Sequence, residues 1–289
     1  MKKLLIASGK GGTGKTTTAS AFIRFADAKV FADCDVDAPN LHLVQSMDGV
    51  PVKSDFIGSE KAVIDTHKCI GCGKCAEHCK FGAVQTTGAA YRINEYTCEG
   101  CGVCEYVCPA GAVRMTEDVA GELTLYEENR VFSTAKLKMG RGNSGKLVSA
   151  VKSAMVGRGR DAELAIIDGS PGIGCPVIAS VSGVDLVLIV AEPSVSGFSD
   201  LERILQTAAS FRVPCAVCVN KWDTSPENTE KIIAYCTSRE IPFVGKVPYD
   251  RAAGAAINVG KSLADVDCSA RDALYEVFEN VMKLMKINY

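Results

Sequence analysis

Two sets of residues in this 289-residue chain have types and spacings suited to chemistry. The first is cysteine: Cys69, Cys72, Cys75 and Cys79 recur 29 residues later as Cys98, Cys101, Cys104 and Cys108, each run spaced C-x2-C-x2-C-x3-C. Thiolates are soft ligands, suited to iron–sulfur centres and to zinc. Three of them two residues apart can wrap one face of an iron–sulfur cubane, and the glycines between them let backbone N–H groups approach the sulfides. Zinc ribbons use paired C-x2-C knuckles with four ligands per ion, which leaves the third cysteine of each run without a task. The second set is Gly9-Lys10-Gly11-Gly12-Thr13-Gly14-Lys15-Thr16-Thr17, in which Gly9 to Thr16 fits G-x-x-x-x-G-K-[ST]. Its glycines let successive N–H groups turn inward on phosphate oxygens, and a helix starting here adds its positive end. Lys15 then reaches the terminal phosphates and the Thr16 hydroxyl ligates Mg2+, with residues 11–17 forming the cradle.

Elements must hold these residues in place. Short apolar runs rich in Val, Ile and Leu occupy Leu4–Ser8, Lys29–Asp33, Ala165–Asp168, Asp185–Ala191, Ala216–Asn220 and Phe243–Pro248. They barely alternate in polarity, as strands buried on both faces do. Helical patterns follow at Lys15–Ala26, Ser199–Phe211, Glu227–Arg239 and Ser269–Lys286. This alternation predicts an α/β fold, a doubly wound, mainly parallel sheet with ligands at the carboxyl ends of its strands. Leu123–Leu137 reads as an extra hairpin or edge strands. The cysteine repeat also maps Ile64 onto Ile93 and Gly82-Ala83-Val84 onto Gly111-Ala112-Val113, so it reads as a duplicated module. The organisation expected is a discontinuous domain of residues 1–59 and 117–289, with a small domain inserted at 60–116.

The K-G-G-T-G-K-T-T form, with its extra Lys10, resembles the deviant Walker A loop of the MinD/ParA superfamily, which includes the Mrp-type iron–sulfur carriers and the nitrogenase iron protein. The resemblance implies a P-loop ATPase, slow or partner-stimulated, working as a homodimer with ATP at the interface. Lys10 is then the signature lysine that reaches the partner's nucleotide. Asp33-Cys34-Asp35-Val36-Asp37 sits where the family carries a D-x-D switch I, which assigns water orientation and the Mg2+ shell to Asp35, with Asp37 as alternative. Ile166-Ile167-Asp168-Gly169-Ser170-Pro171-Gly172 has the Walker B and switch II form and delivers Asp168 to the metal's water shell. Asn220-Lys221-Trp222-Asp223 looks like N-K-x-D, which means guanine in true GTPases; the resemblance implies instead an adenine contact by the asparagine and so ATP, with Asn220 and Asp223 as nucleotide-binding candidates, and Pro248-Tyr249-Asp250 resembles a second base-side loop.

The cysteine module resembles bacterial two-cluster ferredoxins, in which the fourth cysteine of each run crosses to the other cluster. That implies an inserted α+β domain with one [4Fe-4S] cluster on Cys69, Cys72, Cys75 and Cys108 and another on Cys98, Cys101, Cys104 and Cys79. The second run ends in Cys108-Pro109 as the pattern requires, whereas the first ends in Cys79-Lys80. Cys175, seven residues after Asp168, matches the offset of a subunit-bridging cysteine in the nitrogenase iron protein, which makes it a candidate bridging or redox thiol beside the reading as a packed loop thiol. Cys34, Cys215, Cys218 and Cys236 read as structural.

A net charge of −2 and 47% hydrophobic residues place the chain among ordinary globular proteins and give no reason to expect a nucleic-acid or membrane partner. The apolar start Leu4–Ala7 ends at Ser8-Gly9-Lys10, too short for a leader, and 14 cysteines with no secretion signal point to a reducing cytoplasm and metal or redox work. The expected function is ATP turnover coupled to electron transfer through two clusters, toward an unidentified redox or iron–sulfur partner. The rivals are a cluster carrier of the Mrp kind and a MinD-like spatial organiser. The apolar stripe Leu274, Val277, Phe278, Val281, Met282 and Met285 is expected to pack on the sheet rather than enter lipid.

Overall fold

The computed structural model describes every residue except Asp48, Ala89, Arg160, Asn288 and Tyr289. The chain opens with β1 (Lys2–Ala7), α1 (Lys15–Phe25), β2 (Val30–Asp33) and β3 (Val52–Ile57). The cysteine-rich stretch follows as β4 (Lys61–Ile64), α2 (Lys74–His78), β5 (Val84–Thr86), β6 (Tyr91–Ile93), α3 (Val103–Tyr106) and β7 (Val113–Thr116). Next come β8 (Val119–Glu127), β9 (Val131–Leu137), α4 (Ser144–Arg158), β10 (Leu164–Asp168), α5 (Cys175–Val181) and β11 (Leu186–Ala191). The chain finishes with α6 (Val195–Ser210), β12 (Cys215–Asn220), α7 (Pro226–Ser238), β13 (Phe243–Val247), α8 (Arg251–Asn258) and α9 (Ser269–Met285).

These elements form two compact units. The first comprises Met1–Lys53, Leu123–Lys136 and Ser144–Tyr289. Its sheet runs β13-β12-β11-β1-β10-β2-β9-β8, and the pairings of β1 with β10 and β11, β10 with β2, β11 with β12, β12 with β13, and β2 with β9 are all parallel. Every residue of β2, β10 and β11 is buried, which explains why these runs show no alternation. The α/β, mostly parallel architecture is the one expected. In the register, Asp33 of β2 stands directly beside Asp168 of β10, so two carboxylates share the carboxyl edge of neighbouring strands.

Leu123–Leu137 supplies two consecutive strands that are neighbours in the sheet, in line with the hairpin alternative, with β9 between β2 and β8, where Phe132 stacks on Phe31 with ring centroids 5.1 Å apart. One reading is corrected. Helices α4, α5 and α8 were missing from the periodicity reading, because α5 and α8 are short and α4 carries two glycines and buries only four side chains. The α9 stripe is buried in the core, as expected, and among the described residues no helix is long and apolar enough to cross a membrane.

The second unit comprises Ser54–Glu122 and Leu137–Asn143. It is broader than residues 60–116 because flanking segments are bonded into it: Gly58 N–H donates to the Asp118 carbonyl, and Arg141 pairs with both Asp118 and Glu95. Within it, β4 pairs antiparallel with β7 and β5 antiparallel with β6. The 29-residue offset maps β4 onto β6 and β5 onto β7, so each half pairs its strands with the other half. Ala62, Ala83, Cys98 and Val113 make its small core.

Candidate functional site

The carboxyl edge of the first unit's sheet gathers the P-loop and the acidic residues. The loop leaves β1 and enters α1 through Gly12 and Gly14, at φ of +81° and +97°. Gly14 has a second constraint: a Cβ there would meet Asn220 Nδ2 at 2.2 Å, and this amide donates to the Thr13 carbonyl at 2.8 Å. Lys15 Nζ reaches Asp168 Oδ1 at 2.6 Å, and Thr16 Oγ1 donates to Asp168 Oδ2 at 2.7 Å. Burial alone would push the Lys15 ammonium down, but Asp168, with Asp33 and Asp35 behind it, outweighs that and holds it above the ordinary lysine value. Asp33 is pushed up to about 7 by burial and by its neighbour Asp168, against the pull of Lys15 and of its hydrogen bonds. It accepts N–H bonds from Asp35, Asn40 and Leu41, so it organises the loop after β2. Asp35 lines the cavity over the P-loop, and burial raises its carboxyl; Asp37 is exposed.

That cavity measures about 460 Å3 and is walled on one side by residues 10–17 and on the other by Leu43, Val44, Ile257, Lys261 and Leu263. A neighbouring cavity of about 570 Å3 shares Gly12, Gly14 and Thr17 with it and is lined by Asn220, Lys221 and Pro248 to Arg251. Both volumes suit a small organic ligand. Asn220 thus lines the cavity beside the P-loop, while Asp223 is not among its lining residues. Its Oδ1 accepts the Tyr249 N–H at 2.7 Å and so pins the Pro248–Asp250 loop that forms the wall.

Lys10 also lines the first cavity, and its Nζ pairs with Glu192 Oε2 at 2.8 Å. Glu192 holds Lys221 as well, at 3.3 Å, and the two lysines keep its carboxyl below the usual range. Lys221, at φ +56°, in turn donates to the Gly12 carbonyl. Sequence reasoning missed Glu192 and the α8 wall: a single acid after an apolar strand and a Gly-Lys pair after an alanine-rich stretch match no motif.

In the second unit, Cys69, Cys72, Cys75 and Cys108 line one small cavity, and Cys79, Cys98, Cys101 and Cys104 line another. The strand exchange explains this partition, since β5 and β7 follow Cys79 and Cys108 and carry each fourth cysteine to the opposite half. Ala83 N–H donates to Cys79 Sγ at 3.4 Å and Ala112 N–H to Cys108 Sγ at 3.3 Å. Partial burial pushes both thiols up, yet surrounding backbone N–H groups outweigh it and bring each below the ordinary thiol value. Among the described residues, however, no three Cys, His, Asp or Glu side chains form a group that could hold a metal ion, so the expected clusters have no assembled counterpart. Cys175 is exposed at the start of α5 and lines none of these cavities. Burial lifts the thiols of Cys34, Cys215 and Cys218 to about 12 and of Cys236 to about 11, as fits structural residues.

A Gly-rich loop between a buried parallel strand and a helix, with a carboxylate from a neighbouring strand on its lysine and threonine, defines a P-loop nucleotide-binding protein. The chain belongs to the CobQ/CobB/MinD/ParA nucleotide binding domain family, which matches residues 4–263. It is similar to an uncharacterized protein of Methanocaldococcus jannaschii, 37% identical over 224 residues that make up 76% of this chain and 78% of the other. A shorter likeness, 28% over 79 residues, links 27% of this chain to 25% of a cytosolic Fe-S cluster assembly factor Nubp1 homolog of Drosophila grimshawi. Among solved structures, the septum site-determining protein MinD of Pyrococcus horikoshii, complexed with Mg-ADP, shares the fold at TM-score 0.59 and 18% identity, covering 98% of this chain and 97% of that one.

Proposed function

We propose that this protein binds and hydrolyses ATP with Mg2+ and couples its nucleotide state to electron transfer through two [4Fe-4S] clusters. The observation that carries the reading is the partition of eight cysteines into two all-sulfur foursomes, each around its own cavity, on the same chain as a complete P-loop. Four thiols per cavity are a donor set that zinc also takes, and it is the C-x2-C-x2-C-x3-C spacing of each run that favours a cubane. Cys69, Cys72, Cys75 and Cys108 would hold one cluster and Cys98, Cys101, Cys104 and Cys79 the other. Such clusters supply one-electron redox chemistry.

In the first unit, Lys15 would neutralise the terminal phosphates, Thr16 and Asp168 would hold Mg2+ and its water shell, and Asp35 would orient the attacking water. Phosphoryl transfer depends mostly on such positioning and charge neutralisation. The adenine occupies the cavity lined by Asn220 and the loop pinned by Asp223. Lys10 bridges to the nucleotide of a second copy in an ATP-bound homodimer. In chain order, the cysteine-bearing stretch lies between Asp35 and Asp168, the two carboxylates closest to the γ-phosphate chemistry, which supports coupling.

Anaerobic purification with iron and sulfide counting and EPR, repeated with ATP, ADP and a non-hydrolysable analogue, tests the reading. About eight iron atoms per chain and nucleotide-dependent spectra are expected. Colourless, iron-poor protein refutes the clusters, and spectra indifferent to nucleotide refute the coupling. The Nubp1 likeness favours a second reading, a cluster carrier. Transfer of iron and sulfide to an apo-acceptor, leaving this chain depleted, is its signature.

A further inference from the structure

The wall facing the P-loop is built by a segment that carries no motif. Helix α8 is closed by paired bonds: Gly260 N–H donates to the Ile257 carbonyl and Lys261 N–H to the Ala256 carbonyl, both at 2.9 Å. This is the two-bond helix end that needs a left-handed residue, and Gly260 supplies it at φ +71°. A Cβ at Gly260 would stand 3.0 Å from the Leu43 carbonyl oxygen, so glycine also lets this turn close against the segment after the switch I loop. The consequence is positional. Lys261 is the first residue after a rigid helix end, and it lines the same 460 Å3 cavity as the P-loop.

Three lysines line that cavity, and they differ in what holds them. Lys15 is paired with Asp168 at 2.6 Å and Lys10 with Glu192 at 2.8 Å. Lys261 has no ion pair among the described residues and is exposed. Lys15 faces the carboxylates of Asp33 and Asp35 as well as that of Asp168, so its charge is already matched from within the protein. A multiply charged phosphate chain entering there needs a cation not already matched by a carboxylate. We infer that Lys261, delivered by the glycine-closed end of α8, is a third cationic contact to the phosphate chain of the bound nucleotide. This rests on the nucleotide reading above and adds a residue from outside every motif to it.

The test compares full-length wild type with Lys261→Gln, Lys261→Arg and Lys261→Glu, using Mg-ADP and Mg-ATP carrying a fluorescent ribose label. Lys15→Met serves as the P-loop control. One charge-assisted phosphate contact predicts about tenfold weaker binding for K261Q, a larger loss for K261E and recovery to within about threefold for K261R. Adenosine, measured by competition, should bind all four proteins alike, and the salt dependence of nucleotide binding should fall in K261Q. Circular dichroism melts matching wild type confirm that the variants are folded. K261Q binding within about twofold of wild type, while K15M binds poorly, overturns the inference and leaves the nucleotide reading standing. Equal losses for adenosine and ADP overturn it too. A wild type that binds neither nucleotide overturns both.

Discussion

Replacing Lys15 with methionine removes the cation at the centre of the acidic floor and keeps the bulk of the side chain. The pair is buried: Lys15 is 6% exposed and Asp168 fully buried, with Asp33 fully buried beside it. Breaking a buried pair by deleting one partner leaves an uncompensated charge and costs about 3–5 kcal/mol. Here the Thr16 hydroxyl still donates to Asp168, which places the expected loss for ligand-free protein near the lower end, about 3 kcal/mol at pH 8. The sign of the pH effect follows from Asp33, whose carboxyl Lys15 helps to lower. Without that lysine, the floor favours a bound proton more strongly, so the penalty shrinks when protons are supplied. Urea denaturation followed by circular dichroism at pH 8 and pH 5.5 measures both quantities. A second partner checks the logic: Lys15→Met combined with Asp168→Asn should cost less than the sum of the two single changes, because the double variant leaves no unmatched pair member. A loss under about 1 kcal/mol at pH 8, or one equal at both pH values, refutes this account of the floor.

Other outcomes follow from the same geometry. Asp33 has a folded-state value of about 7, raised above the ordinary carboxylate value, so its contribution is fully present below about pH 4 and is lost as pH rises toward 7. Ligand-free protein should lose stability across that window, and Asp33→Asn should flatten the slope in denaturation curves taken at several pH values. Glu192→Gln releases Lys10 from its half-exposed ion pair. Such pairs are worth at most about 1 kcal/mol, so ATP-analogue-dependent self-association in sedimentation experiments should tighten by up to about fivefold, and unchanged or weaker association contradicts the expected role of Lys10. On the proposed cluster reading, Cys108→Ala should lower iron content by about half and remove the EPR signal assigned to Cys69, Cys72 and Cys75, because Cys108 lines that cavity and not the other. Loss of the signal tied to Cys98, Cys101 and Cys104 instead contradicts the partition. Phe31→Ala should destabilise the protein by about 3–5 kcal/mol through the cavity left against Phe132, as read by thermal melts.

Much of the chemistry was legible because its residues are local. The P-loop spans nine consecutive residues, and its glycines, lysine and threonines do their work within one strand–loop–helix turn. The parallel sheet was legible for a related reason: strands buried on both faces leave runs without alternation. The hairpin alternative for Leu123–Leu137 fits the structure, but the interior place of β9 rests on Phe132 meeting Phe31, a contact between residues about a hundred positions apart. Asp223 was assigned to the nucleotide by motif, and the structure adds that its Oδ1 accepts the Tyr249 N–H. A motif names a residue type at a spacing; the partner of its side chain is set by the loop that folds over it.

Residue order alone determined the nucleotide-binding loop, the layered α/β plan and the duplicated cysteine runs, because each depends on spacing within a short stretch. Only the tertiary structure decided which carboxylate holds Lys15, that Glu192 clasps both Lys10 and Lys221, that strands pair across the two cysteine halves, and that the end of α8 walls the cavity over the P-loop. Each of those is a meeting of distant segments, fixed by strand order, strand exchange and a glycine-closed helix end. Such meetings are set by packing in three dimensions, and spacing along the chain does not encode them.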